Sequence, residues 1–140
     1  MKIEFHYLND FLLEEESGYS DWINRIFKME GAVLDQLDYV FCSDDYLFKV
    51  NVEYLNHNTY TDIITFDYSV DERITGDIFI SIDRVRENAM AFDVEFISEL
   101  RRVMSHGVLH LLGYNDKSDE ERDIMRSMEN KMIELFHVEH

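Results

Sequence analysis

The sequence predicts a single mixed α/β (α+β) domain, a small, mostly parallel four-stranded sheet packed with helices. Three observations predict it. Short β-branched or alternating segments are interleaved with segments of helical periodicity, in the order β-α-β-α-β-β-α-α-α. The chain has 140 residues, 46% of them apolar, enough for one real hydrophobic core. Proline is absent, so no Pro-rich linker divides the chain, and residues 1–140 read as one domain.

Residues 2–8 alternate and read as a strand, while the acidic, polar residues 10–18, with Gly18, read as a loop or frayed helix. Ser20 fits an N-cap ahead of Trp22, Ile23, Ile26 and Phe27, whose spacing is helical, and Gly31 ends that helix. Residues 37–42 form the second strand. Ser43 then caps a helix carrying Leu47, Phe48, Val50 and Tyr54, with Asp44 and Asp45 in its first turn, where the helix dipole favours anions. Residues 61–66 (TDIITF) and 76–82 (GDIFISI) supply the third and fourth strands. Asp83 fits the cap of a short helix through Val85, Ala89 and Met90. A longer helix begins at Asp93 or Val94 and runs to Leu112, with Gly113 at the C′ position. Ser118 or Asp119 caps the last helix, whose Ile124, Met125, Met128, Met132 and Leu135 share one face and read as core packing.

Composition narrows the function classes. The single cysteine, Cys42, lies in an apolar run and reads as a buried, inert thiol, so no internal disulfide supports the fold. The N-terminus lacks the apolar run of a signal peptide, and no stretch reaches the length of a membrane span. The expectation is a cytoplasmic protein with no membrane partner. The net charge of −17 is unlike that of a free-standing nucleic-acid binder, whose affinity comes largely from phosphate contacts. The charge is uneven: residues 84–131 hold 8 Lys/Arg against 10 Asp/Glu, and the rest 5 against 20.

The near-neutral part carries the sharpest feature, HGVLHLLGYND at residues 106–116. His106 and His110 are four apart on a helix, which puts both imidazoles on one face, close enough to share an ion. The spacing also arises by chance on ordinary helices. A helix end at Gly113 lets the turn through Tyr114 and Asn115 swing Asp116 back over the helix terminus. Two imidazoles and a carboxylate then fill three corners of a tetrahedron and leave one open, as catalytic sites require. An ion there brings the pKa of its water towards neutral. The helical zinc-peptidase motif places a glutamate base directly after its first histidine, where this chain has Gly107, so peptide hydrolysis by that route is disfavoured. A helix-interior glycine costs about 1 kcal/mol against alanine, which points to a close approach of substrate, backbone or packing partner.

The run SHGVLHLLGYND resembles the signature H-G-x-L-H-L-x-G-Y-D-H of the YbeY family of rRNA-maturation endoribonucleases, in which three histidines bind a catalytic zinc. Upstream, Tyr54 followed by TDIITF resembles the family's T-D-V-L-S-F strand, and Gly76-Asp77-Ile78 its G-D-I strand start. The acidic last helix, with Asp119, Glu120, Glu121 and Met125, also fits, so the resemblance spans about residues 35–135. It implies a single α/β domain with one bound Zn2+ per chain. It also implies single-strand-specific endoribonuclease activity in rRNA 3′-end maturation and ribosome quality control, with rRNA precursor and the ribosome or ribosomal proteins as partners.

Two departures matter. Asp116 stands where the family has its third histidine; a carboxylate is an accepted zinc ligand, and the set His106, His110, Asp116 would also suit iron or manganese. His137 and His140 are alternative donors near the C-terminus. Leu55 stands where the family carries an arginine that acts on substrate phosphate. His57, Arg101 and Arg102 are the candidate substrate-binding replacements, each with an ordinary surface role as its alternative. Two other functions stay open on these residues: a metal-dependent hydrolase of a peptide or amide, and a non-catalytic ribosome assembly factor.

Overall fold

The computed structural model describes residues 2–137. Its elements follow the predicted order: β1 (Ile3–Tyr7), α1 (Glu16–Met29), β2 (Val33–Cys42), α2 (Asp44–Leu55), β3 (Ile63–Asp67), β4 (Arg73–Ser81), α3 (Ile82–Ala91), α4 (Phe96–Leu111) and α5 (Asp119–Phe136). The strands form one sheet in the order β1-β2-β4-β3. β1 and β4 both run parallel to β2, and β3 is antiparallel to β4. The sheet is therefore mostly parallel, as the sequence predicts.

The side-chain period of two divides the apolar residues between the sheet's faces. One face carries Leu37, Tyr39, Phe41, Ile78 and Ile80, all fully buried, in a core with Trp22, Ile23 and Ile26 of α1 and Leu100, Met104 and Val108 of α4. A second cluster of Cys42, Leu47, Val50 and Ile64, with Phe66 and Phe79 against it, seats α2 on the other face. Burial pushes the Cys42 thiol up to about 12, which keeps it protonated and inert. Two buried polar groups dock the C-terminal helices: Tyr39 Oη donates to the Met104 carbonyl at 3.0 Å, and Trp22 Nε1 to that of Met132 at 2.7 Å.

Several boundaries differ from those predicted. α1 starts at Glu16, a turn before Ser20, because its N-cap is Glu15 in a left-handed conformation with no side-chain cap bond. β2 begins at Val33 rather than at residue 37, since a register shift between Leu34 and Gln36 breaks the alternation there. β4 begins at Arg73, ahead of Gly76. α3 is capped by Ser81, whose hydroxyl accepts from Arg84 N at 3.1 Å, and not by Asp83. α4 starts at Phe96, after Glu95. Ser43 and Ser118 cap as expected, the latter in a reciprocal pair with Glu121. Met125 and Met132 are buried on α5, but Ile124 is 48% exposed and lies off the stripe.

Two glycines let α4 lie close on the sheet. A Cβ at Gly107 would meet Ile78 Cδ1 at 2.8 Å and Ile63 Cδ1 at 3.0 Å, so packing rather than substrate explains the residue. A Cβ at Gly76 would meet the Phe66 carbonyl oxygen and Leu111 Cδ2, both at 2.8 Å. Overpacking costs about 1–3 kcal/mol, and in Gly107→Ala a helix-propensity gain of about 1 kcal/mol offsets part of it. Gly76→Ala gains a comparable backbone term in its strand, but there the Cβ meets a backbone oxygen, which cannot rotate away as the isoleucine methyls beside Gly107 can. Gly76→Ala is expected to destabilise the fold more than Gly107→Ala in urea unfolding; the reverse order would show that α4 can shift freely across the sheet.

Candidate metal centre

α4 presents His106 and His110 on one face, and its end is shaped by the sequence that follows. Gly113 takes φ +101° at the position after Leu112. Gly113 N donates to the His110 carbonyl and Tyr114 N to that of Leu109, both at 3.0 Å, the paired bonds of a Schellman cap. Tyr114 Oη then donates to Glu30 Oε1 at 2.7 Å, tying the turn to the end of α1. Arg122 Nη1 donates to the Lys117 carbonyl at 2.9 Å and closes the turn from the α5 side.

This turn brings Asp116 over the helix end, as the sequence predicts. His106 Nε2 lies 2.9 Å from His110 Nε2, and Asp116 Oδ2 lies 3.3 Å from each. Tetrahedral coordination with bonds of about 2.0–2.2 Å separates its donors by about 3.3 Å, so this triangle fits one small divalent cation. The chemistry of the donors fits as well, because converging lone pairs and a carboxylate repel one another unless a proton or cation lies between them.

Glu129, a residue absent from the sequence-based site, fixes the imidazole. It is buried on α5, and its Oε2 accepts from His106 Nδ1 at 2.6 Å, which leaves Nε2 as the donor facing Asp116. Arg102 Nη1 donates to Glu129 Oε1 at 3.0 Å, balancing that carboxylate. Burial lowers the His106 pKa, but the hydrogen bond and charge of Glu129, with Asp116 and Asp62, outweigh it and hold the group above its ordinary value. The signal for Glu129 was present: it lies four residues after Met125 and three before Met132, a carboxylate on the buried stripe of α5.

The centre opens into a cleft of about 750 Å³ between α4, β3, the end of α2 and the loop that follows it. His57 and Leu55 line this cleft. Asp62, also missed in the sequence, lines it too and is held by Asn88 Nδ2 at 3.2 Å. Burial pushes the Asp62 carboxyl above the usual carboxylate range, against the pull of His106.

Neither of the two arginines expected to bind substrate is among the residues that line this cleft, although Arg102 lines a smaller adjoining cavity with Asp62 and His106. Arg101 stacks over Phe136, its guanidinium carbon 3.7 Å from the ring centroid, and its Nε donates to Tyr19 Oη at 3.3 Å. Arg102 is engaged by Glu129, with Asn130 Oδ1 at 3.3 Å. His137 is exposed, with its ring 6.0 Å from that of Phe136, and belongs to no metal-ligating group among the described residues. His140 lies outside the described residues.

A small α/β domain with a His-His-Asp donor triangle at the floor of an open cleft defines a metallohydrolase class. Comparison with known proteins gives the family: residues 9–137 match the family described as Endoribonuclease YbeY. The chain belongs to that family. It is 50% identical over 137 residues to Endoribonuclease YbeY of Flavobacterium johnsoniae, covering 98% of this chain and 99% of that protein. It is 51% identical to the Flavobacterium psychrophilum protein of the same name, covering 97% of each. The solution structure of TM1509 from Thermotoga maritima shares the fold, with a TM-score of 0.63 at 24% identity, covering 94% of this chain and 88% of that one. No helix among the described residues is long and apolar enough to cross a membrane.

Proposed function

We propose that this chain is a metal-dependent endoribonuclease that cuts single-stranded RNA during rRNA 3′-end maturation. The observation that carries the reading is the donor triangle of His106, His110 and Asp116 at the floor of the cleft, in a chain of the Endoribonuclease YbeY family. Zinc is the ion in this reading, since two imidazoles and a carboxylate form an accepted zinc site with a fourth position open. A cation so held would polarise a phosphoryl oxygen and make water a better nucleophile near neutral pH.

The chain's own residues do the rest. His106 and His110 present Nε2 and Asp116 presents Oδ2 to the ion, and Glu129 keeps His106 in the tautomer that can do so. An Asp ligand adds negative charge that a third histidine would not, and so weakens the ion's pull on electrons. In this reading the cleft brings the phosphodiester to the triangle. The partners in this reading are precursor rRNA and the ribosome or its proteins, and the setting is the cytoplasm.

The test uses purified protein and a labelled unstructured RNA. Cleavage is expected with the protein as purified, is lost on treatment with a strong chelator, and returns when zinc is restored. Elemental analysis is expected to find one ion per chain, lost in Asp116→Ala. Cleavage that survives complete removal of the ion would overturn the reading.

A further inference from the structure

The sheet has two edges, and they meet different surroundings. β3, at one edge, lines the metal cleft. β1, at the other, has no strand beyond it among the described residues. In a parallel pair, alternate residues of each strand turn their backbone groups towards the partner. Leu37 N donates to the Lys2 carbonyl and Leu8 N to that of Phe41, while Ile3 lies opposite Leu37 and Tyr7 opposite Phe41. Lys2, Glu4, His6 and Leu8 are therefore the residues whose backbone faces β2. The N–H and C=O groups of Ile3, Phe5 and Tyr7 point the other way, off the sheet, and no described residue hydrogen-bonds to them. Ile3 is buried, whereas Phe5 and Tyr7 are only partly so.

A groove of about 590 Å³ runs between this edge and the N-terminal half of α1. Glu16, Ser17, Ser20, Asp21 and Asn24 form its helical wall, and Glu4 and Phe5 line it from β1. Native sheets blunt an open edge with lysine, proline, a bulge or a covering element. Between Ile3 and Tyr7, β1 has no proline and pairs with β2 without a bulge, and its one fixed charge is Glu4. An edge guarded by negative charge repels an acidic strand and admits a basic one.

The rest of the groove has the same sign. Glu4, Glu16 and Asp21 are exposed carboxylates, and no residue lining the groove is Lys or Arg. Tyr7 Oη donates to Glu16 Oε2 at 2.5 Å, which holds that carboxylate at the end of the strand. His6 Nε2 lies 2.8 Å from Asp38 Oδ1, which sets a fourth carboxylate beside the edge. Phosphate is repelled by such a set, so nucleic acid does not fit. A second copy fits no better. Pairing two β1 edges would bring Glu4 and Asp21 of one protomer against those of its partner, between chains of net charge −17. Ser17, Ser20 and Asn24 offer hydrogen bonds rather than apolar area, which suits a polar, cationic chain.

We propose that the free edge of β1 is a docking site at which an extended, lysine- or arginine-rich segment of a partner protein adds as a fifth strand. Main-chain bonds centred on Phe5 supply affinity, and the carboxylates select the sign of the partner. The site lies three strands from β3, about 14 Å across the sheet at about 4.8 Å per strand, so an occupant leaves the metal cleft open. Docking here needs neither the metal nor RNA cleavage.

The probe is a fluorescent peptide of alternating Lys and Thr, titrated with the full chain at an ionic strength of about 0.15 M and followed by anisotropy. Two further peptides carry backbone N-methyl groups, one on every lysine and the other on every threonine. A strand turns only one of these sets towards β1. One methylated peptide is therefore expected to bind at least about tenfold more weakly than the parent, and the other within about twofold of it. Glu4→Lys with Asp21→Lys is expected to weaken the parent peptide at least about tenfold, while Glu120→Lys with Asp123→Lys, an equal change of charge on exposed positions of α5, shifts it less than about twofold. Equal binding of all three peptides, or equal losses in the two double variants, would reduce the effect to diffuse charge attraction and overturn the site. So would the lack of saturable binding up to about 1 mM peptide, or a dimer in sedimentation that Glu4→Lys with Asp21→Lys dissociates. The methylated peptides test the wild-type chain, so the outcome does not hang on the folding of any variant.

Discussion

His110→Ala is expected to abolish both the bound ion and RNA cleavage while leaving the fold in place. His110 supplies one of three donors, and no other His, Cys, Asp or Glu among the described residues completes a group with His106 and Asp116. Two remaining donors hold a small cation poorly. Loss of an outer hydrogen bond to a ligand already costs roughly 10–100-fold in affinity or activity, so loss of the ligand itself is expected to exceed about 100-fold. The fold has little at stake. His110 is half-buried, it faces the cleft, and alanine is the better helix former. The checks are elemental analysis, the rate of RNA cleavage, and a urea melt. Wild-type cleavage by an ion-free, folded His110→Ala protein would remove the metal from the mechanism.

Glu129→Ala is expected to act on the ion and on the fold together. Glu129 is not one of the three candidate donors, yet it accepts from His106 at 2.6 Å and from Arg102 at 3.0 Å. Without it, His106 is free to put its proton on the nitrogen that should face the ion, and ion affinity is expected to fall about 10–100-fold. The arginine left behind costs stability. A fully buried pair loses about 3–5 kcal/mol when one partner goes. Arg102 keeps Asn130 at 3.3 Å, and its side chain is 24% exposed, so a loss of about 1–3 kcal/mol is expected. Glu129→Gln keeps the shape and an accepting oxygen but loses the charge, and should fall between the two in ion affinity. Zinc titration and urea unfolding of the ion-free protein separate the effects. Unchanged ion affinity in both variants would reduce Glu129 to a packing residue.

How much of this could be read from the chain follows from the range of each interaction. The element order was legible because hydrophobic period is local. So were the caps at Ser43 and Ser118, whose hydroxyls accept from an amide three residues on. The donor triangle was legible because His106, His110 and Asp116 sit within one helix end and its turn, where Gly113 dictates the path. The start of α1 was hidden because a left-handed Glu15 leaves no cap signature, and the start of β2 because a register shift disrupts its alternation. The roles of the arginines were hidden for another reason. Arg102 meets Glu129 across 27 positions and Arg101 meets Tyr19 across 82, and no local pattern reports such pairings. Asp62 became visible only when β3 was laid beside α4.

The third donor differs in kind from the other two. His106 and His110 belong to a helix whose neighbouring residues are packed into the core, so their positions are inherited from the fold. Asp116 hangs from a surface turn pinned at both ends, by Tyr114 to α1 and by Arg122 to α5. Exchanging the donor at 116 disturbs no packed neighbour in the core. In the proposed metal site, a single change at the surface would therefore alter which metal is preferred and how acidic it is, much as a fixed socket accepts different fittings.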